Sequence, residues 1–182
     1  MKRIKGLCVL DVDGTLIEEE VIDLLGKEAG CEKEVALLTA QAMSGKLDFE
    51  SSLKKRVSLL KGVSIDVFDK IYHELHLSKN AAQFVRVLQE NQIEVGLVSG
   101  GFTAIVERLA KKLGISLFTA NQLEIKDDHL TGNLIGPIIS REVKEERLIR
   151  WAKELQVPFE RTIAIGDGAN DLKMLKSAGL GI

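Results

Sequence analysis

The chain has little cysteine, little proline and no long run of apolar residues. Its two cysteines, Cys8 and Cys31, form no Cys-x-x-Cys pair, which is typical of a reduced, cytoplasmic protein with structural thiols. Only two prolines are present, so no proline-rich linker divides the chain. No apolar stretch approaches the roughly 20 residues of a membrane-spanning helix, and we therefore expect no membrane partner.

Positive and negative charges are nearly balanced in this chain. The 25 basic and 27 acidic residues give a formal net charge of −2, so no broad basic surface suggests a nucleic-acid partner. The three histidines, His73, His76 and His129, show no metal-ligand spacing, and we expect them at the surface or half-buried. The 182 residues are enough for one core of ordinary size with a smaller appendage.

Two carboxylates directly follow the first apolar run of the chain. Leu7–Leu10 predicts a buried strand, and Asp11 and Asp13 come immediately after it. Ligands of open α/β sheets bind beyond the carboxyl ends of strands. Neighbouring carboxylates repel each other unless one is protonated or a cation lies between them, and Mg²⁺ accepts carboxylates together with phosphate oxygens. The pattern indicates a metal and phosphate site, although a simple turn with positive φ at Gly14 would also give it.

The order of helical and strand patterns predicts the fold class. Four helical patterns follow the first strand without another strand, so we expect a small helical unit over 18–77, inserted between core segments 1–17 and 78–182. From Asn80 onward helices and strands alternate, which predicts a doubly wound, Rossmann-like parallel α/β sheet. The expected later strands and hairpin arms are Ile93–Val98, Leu117–Thr119, Leu123–Ile125, Leu130–Leu134 and Thr162–Ile165.

Polar groups follow two further strands of this sheet. Ser99, Gly100 and Gly101 come after one strand, and Asp167 lies between two glycines after the other. In a parallel sheet both ends meet Asp11 at one edge. Asp167 would then be a third carboxylate for Mg²⁺, while glycine peptide groups before a helix approach anions closely. Glycine-rich turns that only reverse the chain are the alternative.

Two basic residues occupy positions that belong to apolar helix stripes. Arg56 lies between Phe49 and Leu60 on one stripe, and Lys144 begins a row that continues with Leu148. An inward cation needs an anionic partner, because leaving it unpaired costs several kcal/mol in order of magnitude. Long side chains that reach water are the other explanation. Both residues together, beside three carboxylates, favour an anionic ligand.

The chain resembles the haloacid dehalogenase superfamily and, more narrowly, its bacterial and archaeal phosphoserine phosphatases. The narrower similarity extends over nearly the whole chain and includes the segment from Asp48 to Leu60 in the helical unit, which resembles the cap of that subfamily. The superfamily resemblance is carried by four ordered motifs: Asp11–Thr15, Ser99-Gly100, Lys144 and Gly166–Asp171.

The resemblance implies a Mg²⁺-dependent enzyme that hydrolyses O-phosphoserine to serine and phosphate, a step of serine biosynthesis, through an aspartyl-phosphate. Asp11 would be the nucleophile and Asp13 the general acid and base. The implied metal ligands are Asp11, Asp13 through its backbone carbonyl, and Asp167, with Asp171 in support. The implied substrate contacts are Ser99, Gly100, Lys144 and Asn170 around the phosphoryl group, and Glu20, Arg56, Met43 and Phe49 in the cap.

The chain departs from the subfamily pattern in two places. Gly14 stands where the subfamily usually has serine. The sequence ends at Ile182, where relatives continue with a further strand and helix, so we expect one uncovered side of the sheet. Such a chain is expected to be a poorly stable monomer or to self-associate as a homo-oligomer.

Other functions share parts of this pattern. The enzyme alternatives are a phosphatase for homoserine phosphate or a sugar phosphate, and a sugar phosphomutase, which would not need Glu20 or Arg56. The non-enzyme alternative is a phosphoacceptor receiver-like signalling module, which also combines a doubly wound sheet, an acidic site, a hydroxyl and a lysine. The helical insertion and the spacing of Asp11 and Asp13 count against the receiver.

Overall fold

A six-stranded sheet forms the centre of the computed structural model, which describes residues 4–44 and 46–182, without the side chain of Met43. The strand order is β4-β3-β2-β1-β5-β6, and every neighbouring pair is parallel except β3 and β4. The predicted doubly wound α/β fold is therefore confirmed. The strands are β1 (Gly6–Leu10), β2 (Ile93–Phe102), β3 (Leu117–Lys126), β4 (His129–Ile135), β5 (Thr162–Ile165) and β6 (Leu180–Gly181).

Eight α-helices occur in the described part of the chain, and the first four lie between β1 and α5. A backbone bridge between Ile17 and Leu77 joins the two ends of this helical segment. The boundaries 18–77 of a separate cap stay a prediction. The helices are α1 (Val21–Glu28), α2 (Glu32–Met43), α3 (Phe49–Ser58), α4 (Val67–Glu74), α5 (Ala81–Glu90), α6 (Thr103–Leu113), α7 (Arg141–Glu154) and α8 (Leu172–Ser177).

The two faces of β1 belong to two different apolar clusters. All five residues of β1 are buried, as expected for a central strand covered on both faces. Because successive side chains alternate across a strand, Cys8 and Leu10 pack in one cluster, and Leu7 and Val9 pack in the other. This double burial fixes β1 at the centre, so its carboxyl end lies in the middle of the sheet edge.

Strands β2 and β3 are longer than the sequence predicts. Strand β2 does not end at Val98 but continues to Phe102, with a shift of its register against β3. Strand β3 runs without interruption over Leu117–Lys126, where the sequence predicts a short strand and a separate hairpin arm. Pairing with neighbouring strands sustains both extensions, and such long-range pairing leaves no periodic signal in the local sequence.

The three histidines lie where the sequence predicts. His73, His76 and His129 are all exposed. Among the residues that the structure describes, no helix combines the length and the apolar composition that a membrane crossing requires. Leu180 and Ile182, at the β6 edge, are also exposed. Self-association through this edge stays a prediction.

Candidate active site

Asp11 and Asp13 lie directly beyond the carboxyl end of β1. The Asp11 amide donates to the Ile165 carbonyl (2.9 Å), which extends the pairing with β5, and its side chain is buried. The Asp13 carboxylate accepts hydrogen bonds from the Val21 amide, at the start of α1, and from the Ser99 hydroxyl, both at 2.9 Å. Burial raises the pKa of Asp13, although both hydrogen bonds oppose this shift.

Lys144 is fully buried in the first turn of α7 and faces two carboxylates. Its ammonium nitrogen lies 2.7 Å from Asp171 Oδ1, with hydrogen-bond geometry, and 2.8 Å from Asp11 Oδ1. Both contacts are ion pairs between a buried ammonium group and a buried carboxylate. Burial by itself lowers the pKa of Lys144, but Asp11 and Asp171 outweigh it and the pKa is raised. The lysine is therefore a cation at neutral pH.

The loop after β5 brings three further polar residues to the same place. The Asp171 side chain is fully buried, and its Oδ2 accepts from the Gly168 amide at 3.0 Å. Asp167 is exposed and accepts from the Thr15 hydroxyl at 2.9 Å. Asn170 is half-buried, with its amide nitrogen 3.9 Å from where a Cβ on Gly100 would lie. The acidic residues that follow β1 and β5 therefore lie together at one edge of the sheet.

Asp11, Asp167 and Asp171 together have the composition of a site for a hard cation. Each offers one carboxylate oxygen, and the three oxygens lie within 4.8 Å of one another. Both oxygens of Asp171 are already engaged, by Lys144 and by the Gly168 amide. An oxygen-only set of this kind suits Mg²⁺.

The position of Gly14 is explained by its surroundings. Its φ of +70° is in the left-handed region, and a Cβ on this residue would lie 2.8 Å from Asp167 Oδ2. A serine at position 14 would therefore press on Asp167 and strain the backbone. The departure from the subfamily pattern is compatible with the local geometry of this chain.

Carboxylates outnumber nearby cations around this edge. Burial, reinforced by repulsion from Asp13, Asp23 and Asp11, raises the pKa of Glu20 to about 7, although Glu20 is exposed at the rim. Burial likewise raises the pKa of Asp11, Lys144 lowers it, and Asp171 raises it again. Burial is the main cause of both raised pKa values, and neighbouring carboxylates add to it.

Arg56, on α3, is a buried cation whose polar groups are only partly bonded. One guanidinium nitrogen donates to the Thr39 hydroxyl at 3.3 Å, and Nε has no hydrogen bond among the described residues. Burial lowers the pKa of Arg56, while Asp23 and Glu20 raise it. In residues 4–44 and 46–182 no carboxylate lies within ion-pair distance of Arg56. The guanidinium therefore has donors available for an anion.

Phe49, the first residue of α3, lies next to Gly100 in β2. The Phe49 ring is 3.3 Å from where a Cβ on Gly100 would lie, so α3 and β2 are in contact here. The side chain of Met43 lies outside the described residues. The sequence assigned no role to Thr15, Thr39 or Asn121, which bond to Asp167, Arg56 and Gly100. The sequence signal that could have identified Asn121 is a polar residue at a position of β3 that faces inward.

The family model and two curated relatives indicate the same family. The family model of the haloacid dehalogenase-like hydrolases matches residues 8–176. The phosphoserine phosphatase of Streptococcus thermophilus is 50% identical over all of this chain and 85% of its own length. That of Methanocaldococcus jannaschii is 42% identical, covering all of this chain and 86% of the relative.

Solved structures agree with the sequence comparisons. A phosphoserine phosphatase described as a phospho-aspartyl intermediate analogue superposes with a TM-score of 0.91, 42% identity, and coverage of 97% of this chain and 85% of the other. A substrate-bound phosphoserine phosphatase complex gives a TM-score of 0.92, 41% identity, and coverage of 98% and 85%. The chain therefore belongs to the haloacid dehalogenase-like hydrolases, and within them to the phosphoserine phosphatase family.

Proposed function

We propose that this protein is a Mg²⁺-dependent phosphatase that hydrolyses O-phosphoserine to serine and phosphate. The observation that carries the proposal is the Asp11 carboxylate, which lies directly beyond the carboxyl end of β1 with one oxygen 2.8 Å from the buried ammonium group of Lys144. A buried carboxylate at a strand end beside a fixed cation is suited to attack a phosphate ester. The family membership supports phosphoserine as the substrate.

In the first step, Asp11 attacks the phosphorus atom. The bond between the Asp11 oxygen and phosphorus forms while the bond from phosphorus to the seryl oxygen breaks, and Asp13 gives the seryl oxygen its proton. Burial raises the pKa of Asp13, and this is the direction that favours a proton donor. The Ser99 hydroxyl, the Gly100 amide and Lys144 contact the phosphoryl oxygens as negative charge develops on them, and Asn170 helps to order them.

In the second step, water replaces Asp11 on phosphorus. Asp13, now ionised, takes a proton from the attacking water, the bond between phosphorus and Asp11 breaks, and phosphate leaves. Asp11 returns to its carboxylate form and Asp13 to its acid form. The Val21 amide holds the Asp13 carboxylate through both proton transfers, while the single Ser99 hydroxyl hydrogen, bonded to Asp13 in the substrate-free site, turns to a phosphoryl oxygen.

We propose that Mg²⁺ is held by Asp11, Asp167 and the backbone carbonyl of Asp13. The Asp13 carboxylate is engaged by Val21 and Ser99, which leaves the carbonyl as its contribution. When bound, the ion neutralises negative charge on the phosphoryl oxygens and the carboxylates. Asp171 supports the site by fixing Lys144 through their 2.7 Å hydrogen bond.

The helical segment 18–77 supplies the groups that select phosphoserine among phosphate esters. Arg56 receives the substrate carboxylate, for which its planar fork is suited, and Glu20 receives the ammonium group. Phe49, beside Gly100, walls the pocket. We propose that the segment acts as a cap that admits the substrate and then excludes bulk water.

A phosphate-release screen tests the proposed substrate. The compounds are O-phosphoserine, homoserine phosphate, sugar phosphates and a small aryl phosphate, each with Mg²⁺ and with EDTA. We expect multiple turnover that depends on Mg²⁺ and is fastest with O-phosphoserine. Preference for homoserine phosphate or a sugar phosphate would contradict the assigned substrate, and phosphorylation without multiple turnover would indicate a receiver-like module.

Arg56→Ala is expected to change specificity and leave the chemistry intact. Loss of the guanidinium lowers kcat/KM for O-phosphoserine roughly 100-fold, since charge-assisted hydrogen bonds contribute about 1.5–3 kcal/mol each. Activity on the small aryl phosphate, which has no carboxylate to bind, stays near the wild-type value. The matched control is Lys55→Ala, an exposed basic residue on the same helix. Equal losses on both substrates would contradict the role of Arg56.

Glu20 gives a pH dependence of stability that can be measured without Mg²⁺. Its pKa rises on folding from 4.5 to about 7, so between these values the folded state binds more protons than the unfolded state. The free energy of unfolding therefore falls as pH rises through this window. We expect the Tm in EDTA to fall less steeply between pH 5 and 7 in Glu20→Gln than in the wild type, and parallel curves would contradict the shift.

A further inference from the structure

Strand β2 contains a bulge at the residues that are proposed to bind phosphate. Its pairing with β3 stops after Val98, which lies opposite Thr119, and resumes at Phe102, which lies opposite Asn121. Three residues, 99–101, therefore lie opposite a single residue of β3. A bulge of this kind removes backbone groups from the ladder, so the Gly100 carbonyl needs a partner from elsewhere.

The Asn121 side chain supplies that partner. Its amide nitrogen donates to the Gly100 carbonyl at 2.7 Å, and its amide oxygen accepts from the Ile139 amide at 2.8 Å. Asn121 is 2% exposed. Both partners are backbone groups with a fixed role, one acceptor and one donor, so only one orientation of the Asn121 amide satisfies both.

The bond to Gly100 is the middle of a chain of hydrogen bonds that all point the same way. The Gly100 carbonyl and the Gly101 amide belong to one peptide group. That amide donates to the Ser99 hydroxyl at 2.8 Å. That hydroxyl in turn donates to the Asp13 carboxylate. Aligned hydrogen bonds of this kind strengthen one another, and here they fix the position of the Ser99 oxygen.

The bond to Ile139 leads to the other phosphate-binding element. Ile139 directly precedes Ser140, which caps α7, and the Lys144 amide donates to the Ser140 carbonyl at 2.9 Å. A single buried side chain on β3 thus joins the bulge of β2 to the start of the helix that carries Lys144.

We propose that Asn121 is a positioning residue that keeps the Ser99–Gly100 bulge and the start of α7 in a fixed relation, so that Ser99, Gly100 and Lys144 bind one phosphoryl group together. The inference rests on the proposed function, because it assumes that these three residues contact the phosphoryl group. Asn121 itself does not touch the substrate.

The test compares Asn121→Leu with Thr162→Val. Each variant keeps a similar side-chain volume and removes one donated and one accepted hydrogen bond to backbone groups. Thr162 donates to the Phe159 carbonyl and accepts from the Gly179 amide. It lies at the first residue of β5, at the end of the strand away from the candidate site. We expect kcat to fall about 100-fold in Asn121→Leu, as misplacement of reacting groups by about 1 Å does. KM for O-phosphoserine changes far less, because the cap contacts remain.

Three outcomes are informative. Thr162→Val with a similar decrease in Tm but wild-type kcat supports the inference, since the loss in Asn121→Leu is then not a general effect of lost buried bonds. Wild-type kcat in folded Asn121→Leu, or an equal loss of kcat in Thr162→Val, would overturn it. Asn121→Ala, which leaves room for water, provides the same comparison where Asn121→Leu does not fold.

Two further variants separate this inference from the proposed function. Ser99→Ala and Lys144→Met are measured in the same assay with O-phosphoserine and Mg²⁺. If both keep full turnover, the assigned phosphate contacts are wrong and the inference falls with them. If both lose turnover while folded Asn121→Leu keeps it, only the positioning role of Asn121 is overturned.

Discussion

Replacing Asp11 with asparagine is expected to abolish Mg²⁺-dependent turnover of O-phosphoserine, with a loss on the order of 10⁴–10⁶-fold in kcat. An amide oxygen at this position is a far weaker nucleophile than a carboxylate and cannot form the acyl phosphate. The fold is expected to persist, because the replacement has the same shape and removes a buried carboxylate whose pKa is raised by burial. Phosphate release and thermal melting measure the two effects.

The same substitution at Asp127 is the matched control for Asp11→Asn. Asp127 is exposed in the hairpin turn between β3 and β4 and has a φ of +50°, a conformation that asparagine tolerates well. Asp127→Asn should keep wild-type turnover. Substantial multiple turnover by Asp11→Asn would contradict the assignment of Asp11 as nucleophile.

Lys144→Met is expected to lower both activity and stability. Methionine fills a similar volume but leaves the buried carboxylates of Asp11 and Asp171 without their cation. Removing one partner of a buried ion pair typically costs about 3–5 kcal/mol in the free energy of unfolding. Loss of a fixed positive group at the transferring phosphoryl oxygens costs roughly 10²–10³-fold in kcat. Urea unfolding and phosphate release measure these effects.

Lys153→Met, in the last turn of α7, is the control for this variant. Lys153 is exposed and the same substitution there should leave both the unfolding free energy and kcat nearly unchanged. The 2.7 and 2.8 Å distances indicate that the Lys144 cation holds the two carboxylates together. An unfolding free energy of Lys144→Met equal to that of the wild type would contradict this.

Much of the sheet edge was predictable because its signals are local. The apolar run before Asp11 and the glycines around Asp167 mark strand ends, and parallel strands bring such ends together. Arg56 and Lys144 were identifiable because each interrupts an apolar helix stripe, and the structure buries both. The inward direction of these two cations follows from helical periodicity alone.

The bulge in β2 could not be predicted in the same way. The sequence Ser99-Gly100-Gly101 suggests a turn at the end of a strand, yet the strand resumes at Phe102 because β3 pairs with it again. The role of Asn121 could not be predicted either, because its partners, Gly100 and Ile139, are 21 and 18 residues away along the chain. Only the packed structure brings them to one side chain.

The Thr39 contact with Arg56 shows a similar limit. The two residues belong to α2 and α3, and the angle at which these helices pack decides which polar side chain reaches the guanidinium. Helical spacing gives the face of each helix but not this angle. Residue-level partners in the helical segment therefore had to come from the structure.

The most direct measurement is the location of the phosphoryl group during turnover. Wild-type protein mixed with O-phosphoserine and Mg²⁺ is quenched in acid, digested and analysed by mass spectrometry. We predict one phosphoryl group on the peptide that contains Asp11, assigned to that carboxylate and absent from Asp11→Asn. Rapid phosphate release with no phosphoryl group on Asp11, or with the group on another residue, would contradict the account.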